Sequence, residues 1–368
     1  MAITLTKEPT GLYPAYNDSY LEFTSDLAGD YKAEITVAGV AGTFTIYPVD
    51  GVYLFNLKPI VASVINDGTF RDQDTTYPLT WMEVYNYGYA ALAVTIKDYN
   101  TSTNGSVVEN YTFIRGVKQV GEQIHTNPYQ LLHPSENGVD YQLTYFEGYP
   151  FSFEIAQVTT ADSFVIRNLN STQEITPVVL GSTSTWRVYI DKEATNWTST
   201  SFLPLTDTKN RLELEFNSVV ETNLVIKKVF APCGVYVKWL NADGGYSYWL
   251  FDEFHREVFK GRDISFVNVP SFENVATQVN TTQSTGKIGT KQLRVKSKLV
   301  DNYEMSHLES LITSPSVQLW SSNIPASGTA DGYWVDVTID GDIGRSTKKE
   351  LNEVALTINL PELKTAQL

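Results

Sequence analysis

A single cysteine, Cys233, in 368 residues excludes an internal disulfide, and neither a histidine nor a carboxylate stands beside it to activate the thiol. The chain must therefore hold itself together by packing. Cations are also scarce, with 27 Lys and Arg against 42 Asp and Glu and a formal net charge of −15. A nucleic-acid grip needs clustered cations, because much of its affinity comes from releasing condensed counterions. The nearest candidates are Lys227-Lys228 and the spaced set Lys287, Lys291, Arg294, Lys296 and Lys298, which reads as a solvated strand face. Direct nucleic-acid recognition is not expected, although an acidic wall lets DNA pass without sticking. No apolar run approaches membrane-spanning length, so no membrane insertion is expected. Met1–Thr6 lacks the charged start and apolar stretch of a secretory signal, which points to synthesis in the cytoplasm.

Catalytic equipment is equally thin. The four histidines, His125, His133, His255 and His307, show no zinc-ligand spacing. His255 lies in the densest charged cluster, with Asp252, Glu253, Arg256 and Glu257, and reads as part of a solvated turn. His307 is expected to be exposed or partly packed. Asp340-Gly341-Asp342 lacks the ligand spacing of a calcium loop. The segment from Thr285 to Lys291 lacks P-loop spacing, and no Gly-x-Ser-x-Gly elbow occurs. The expectation is a non-enzyme without cofactor or metal.

What is abundant is strand chemistry. Aromatics make up 12% of the chain, and repeated Thr, Val and Ile suit a pleated, half-buried surface. Period-2 runs broken by Gly, Asn and Pro turns recur throughout, which predicts an all-β chain of two or three β-sandwich-like domains. Turn-rich stretches divide it into 1–120, 121–232 and 233–368. Leu57 to Ile65 has helical spacing. So does the stripe Met305, Leu308, Leu311 and Ile312, preceded by the capping box Asp301–Glu304 and stopped by Pro315. This second stripe predicts one short helix in the C-terminal domain. Residues 1–17 and 278–291 read as segments that become ordered on assembly.

The most distinctive local pattern is an aromatic hairpin. Val235 to Leu240 and Tyr246 to Phe251 flank Asn241-Ala242-Asp243-Gly244-Gly245, whose glycines suit a tight turn. Trp239, Asn241, Gly244, Gly245, Tyr246 and Trp249 are its candidate interface or architectural residues, joined downstream by Trp320 and Trp334. Trp239 and Trp249 are expected in the core.

The order of this hairpin, the helix, Val317 to Trp320 and the alternating strands Trp334 to Ile339 and Val354 to Leu360 resembles virion proteins of tailed bacteriophages of Bacteroidetes-type hosts. The likeness is to tail-tip or baseplate proteins of the distal-tail type. The lead Gly11 to Asn17 and the basic loop with Arg345, Lys348 and Lys349 are similar to features of such proteins. The resemblance implies a virion component that assembles with copies of itself, as a ring, and with other tail proteins. Alternative readings are a receptor- or carbohydrate-binding module for a host glycan, a head-to-tail connector, or a capsid accessory protein.

Overall fold

The computed structural model describes residues 3–26, 32–67, 70, 72, 81–85, 88–99, 104–122, 124, 127–135, 137–175, 178–181, 184–189, 205–231, 233–268, 282–321, 333–344, 351–363 and 365. They form an all-β, multi-sheet chain carrying two helices. The chain divides into two compact units, Met1–Phe230 with Leu240–Tyr248, and Ala231–Trp239 with Trp249–Leu368. His125, Pro232, residues 278–281, Arg345, Lys348 and Lys349 lie outside the described residues.

The first unit opens with two sheets around one core. One orders β1 (Ile3–Lys7), β3 (Tyr20–Ser25) and β6 (Val52–Asn56) as β1-β3-β6. The other orders β2 (Leu12–Pro14), β9 (Asn104–Ile114), β8 (Tyr89–Tyr99), β4 (Lys32–Val37) and β5 (Phe44–Ile46) as β2-β9-β8-β4-β5. Ala33, Ile35 and Val37 alternate inward from β4, as their period-2 spacing predicts, and join Leu21 and Phe23 in the core. Phe23 sits opposite Tyr53, their rings stacked at 4.8 Å. Helix α1 (Lys58–Ile65) adds Ile60, Val61 and Ile65. The N-terminal segment departs from expectation. It is no free arm, because β1 pairs with β3, β2 runs parallel to β9, and Leu12 and Ala15 are buried.

Two further sheets complete this unit. The strands β10 (Tyr129–Leu131), β12 (Ser152–Gln157), β16 (Ser184–Tyr189) and β7 (Met82–Val84) lie in the order β10-β12-β16-β7. A six-stranded sheet runs β11 (Asp140–Phe146), β18 (Val219–Val229), β17 (Lys209–Phe216), β13 (Ala161–Asn168) and β14 (Gln173–Glu174), with β15 (Val178–Leu180) also on β13. Tyr129, from the first of these sheets, stacks on Phe216, from the second, at 3.9 Å.

The second unit is built on a seven-stranded sheet. Its strands are β19 (Val235–Leu240), β20 (Tyr246–Phe251), β21 (Phe254–Asp263), β24 (Lys287–Lys296), β25 (Val317–Ser321), β26 (Tyr333–Asp340) and β27 (Ala355–Asn359). They lie in the order β20-β19-β25-β26-β27-β24-β21, with the tip of the β19–β20 hairpin counted in the first unit. A small ribbon, β22 (Phe266–Asn268) with β23 (Thr282–Ser284), lies between β21 and β24 in sequence. The part of 278–291 that is described is therefore paired strand rather than a free segment, with Ser265 and Thr285 hydroxyls 2.7 Å apart beside the ribbon.

Helix α2 (Asn302–Thr313) starts as its sequence dictates. Asp301 Oδ1 accepts from Glu304 N at 2.8 Å, and Glu304 Oε2 accepts from Asp301 N at 3.1 Å. Met305, Leu308 and Leu311 are buried, whereas Ile312 is exposed. His307, expected near the surface, is buried among them, and burial pulls its pKa down to about 4 against a weak upward pull from Asp301.

Candidate interaction surface

The hairpin turn is organised by Asn241. Its Oδ1 accepts from the backbone N–H of Asp243 at 2.9 Å and of Gly245 at 3.2 Å, an arrangement open to a short amide side chain. Its Nδ2 donates to Leu132 O at 3.0 Å and to Ser247 Oγ at 3.1 Å. Gly244 has φ +91°, and a Cβ there would stand 2.7 Å from Arg115 O. At Gly245 a Cβ would press on the Leu132 carbonyl and sit 2.8 Å from Glu154 Oε2. Both glycines thus answer to close backbone approach. Lys118 pairs with Asp243 at the same turn. The crevice beside it, lined in part by Leu12, Lys118, His133 and Asp243, has ≈ 10 Å³ of room, on the scale of one water rather than a ligand.

Beneath the turn lies a cluster of charged and aromatic side chains. Arg187 Nε donates to Glu154 Oε1 at 2.7 Å, and its Nη2 donates to Asp72 Oδ1 at 2.7 Å. The guanidinium lies over the rings of Tyr85 at 4.7 Å and Tyr246 at 5.2 Å. Tyr246 N donates to Glu154 Oε2 at 2.8 Å. Burial raises the Glu154 pKa, opposed by Arg187 and by that N–H. Burial also works against a charged Arg187, but Asp72 and Glu154 outweigh it and hold the guanidinium protonated. Burial, aided by Asp72, raises the Tyr246 hydroxyl. Glu154 is 0% exposed and Arg187 3%, and the network reads as an internal brace.

The tryptophans divide between core and sheet face. Trp239 is fully buried and donates from Nε1 to Ser310 Oγ on α2 at 2.8 Å. Trp249 is buried. Trp320 and Trp334 sit opposite each other on β25 and β26, their centroids 5.1 Å apart, and are half-buried. Lys238 Nζ lies 4.4 Å from the Trp334 ring centroid, so part of that aromatic surface is already covered. Within the chain the hairpin residues are chiefly architectural.

The surface that sequence reading missed is β21. It ends its sheet, and among the described residues its ladder runs only to β24. His255, expected in a turn, stands exposed on this strand. The register places Phe254, Arg256, Val258, Lys260 and Arg262 on one face with Lys296, Arg294, Gln292, Thr290 and Ile288. The opposite face holds Leu293 and Val295, which are buried, so the first face points outward. It carries five cations and no carboxylate of its own. Lys296 reaches Glu353 at 2.9 Å, while Arg256, Lys260, Arg262 and Arg294 have no ion pair among the described residues. Phe254, Phe259 and Phe266 are 50%, 66% and 65% exposed, with Ile264 and Val267 exposed beside them. The pattern Phe-His-Arg-Glu-Val-Phe-Lys-Gly-Arg-Asp alternates weakly, because neither of its faces is purely apolar. Its signal was the crowding of cations in an acidic chain.

No protein-family model matches the chain, and no curated protein matches it. Among solved structures it is similar to a protein of unknown function from Porphyromonas gingivalis W83, at 9% identity and a TM-score of 0.17, covering 61% of this chain and 99% of that one. A second similar structure, described as giving insight into host cell surface retention of a 1.5-MDa bacterial ice-binding adhesin, has 9% identity and a TM-score of 0.19. It covers 79% of this chain and 92% of that one.

Proposed function

We propose that the chain is a structural component of a phage tail or baseplate that works by assembling through subunit interfaces, as a ring, within the virion. The observation that carries this reading is the edge strand β21, whose ladder among the described residues runs only to β24, with Phe254 and Phe259 exposed on it and Phe266 exposed on the following β22. Unpaired strand edges recruit other chains, and native proteins tend to blunt them unless they are used. Large apolar side chains gathered along such an edge mark a surface that gains free energy by being covered. The resemblance of residues 235–360 to tail-tip proteins supplies the setting, and other tail proteins are the further partners it implies. A receptor- or glycan-binding module is the competing reading. Light scattering on the purified chain, run beside a glycan array, separates them. Self-association without glycan supports assembly, and a monomer that binds a defined glycan class would overturn it.

A further inference from the structure

The charge pattern of β21 and β24 says how copies meet, taking assembly through subunit interfaces as its starting point. In a two-fold pairing of β21 with β21 of another copy, residues equidistant from the centre face each other. Centring on Arg256, Glu257 or Lys260 sets that residue against itself. Centring on Val258 sets Arg256 against Lys260, on Phe259 sets Arg256 against Arg262, and on Gly261 sets Lys260 against Arg262. Every central register therefore opposes like charges, which is destabilising across a ladder. The complementary surface lies elsewhere. The first unit holds 27 Asp and Glu against 14 Lys and Arg, a net charge of −13 that accounts for most of the chain's −15.

We propose that the basic outward face of β21 and β24 docks head-to-tail on the acidic first unit of a second copy, with Phe254 and Val258 covered in the contact. Such a heterologous contact leaves each chain one donor and one acceptor surface, and it closes into a ring when the rotation allows. Its attraction is screened by salt, the Debye length shrinking from about 10 Å at 0.1 M to about 3 Å at 1 M. Isologous strand pairing would show the reverse trend, because salt relieves like-charge repulsion.

The test is sedimentation velocity of the intact chain at low and high salt, with a second protein carrying Arg256→Glu, Lys260→Glu and Arg262→Glu. All three side chains are exposed, so an unchanged melting temperature is expected and confirms that the variant folds. The wild type should associate at low salt, with affinity falling at least tenfold at high salt, and the reversed chain should stay monomeric. Mixed with wild type, the reversed chain should cap short complexes, because its acceptor surface is intact. Association of the reversed chain equal to wild type would overturn the docking mode and leave assembly standing. A wild type that never associates would remove the assembly reading itself. Retention of double-stranded DNA by wild type, lost on charge reversal, would overturn the proposal in favour of a nucleic-acid partner.

Discussion

His307 shows how one buried side chain ties stability to pH. Its folded pKa is about 4 against an ordinary value of 6.5, so the unfolded chain takes up the proton first. The contribution is complete above 6.5, drains away as pH falls toward 4, and then levels off. It amounts to roughly 3 kcal/mol for a shift of this size. Urea midpoints measured across that window should fall more steeply for wild type than for His307→Leu, and parallel curves would refute this role. Arg187 makes a second case. Arg187→Met leaves Glu154 and Asp72 buried without their counter-charge, and loss of one partner of a buried pair costs about 3–5 kcal/mol. In a double-mutant cycle with Glu154→Gln the two losses should be strongly non-additive.

Among the elements, α2 and the hairpin turn were legible in sequence because their chemistry is local. Asp301 and Glu304 lie three residues apart and cap each other, and Asp301→Ala should cost about 1 kcal/mol in thermal or urea unfolding. Gly245→Ala should cost more, ~1–3 kcal/mol, since the added Cβ has no free space beside Leu132 O and Glu154. The misplaced elements depend on pairing with strands outside their own segment. Residues 3–17 carry Pro and Asn and look like an arm, yet β1 pairs with β3 and β2 with β9, which begins only at Asn104. Thr282 to Lys291 looks polar and loose, but its strand residues pair within 259–268. The Glu154–Arg187–Asp72 brace joins residues up to 115 positions apart and offers no spacing signature at all. His307 was misjudged because neighbouring polar residues hide how closely α2 is packed.

At the scale of the whole molecule, the edge strand, the exposed phenylalanines, the basic outward face of β21 and β24 and the acidic composition of the first unit favour a repeating contact over a solitary existence. The alternatives of connector and capsid accessory protein share the same requirement for subunit contacts and differ in stoichiometry. The most direct test is native mass measurement of the intact chain at low salt over a wide concentration range. The account predicts discrete multiples ending in one closed ring of fixed subunit number. A mass that stays at 41.2 kDa throughout would contradict it.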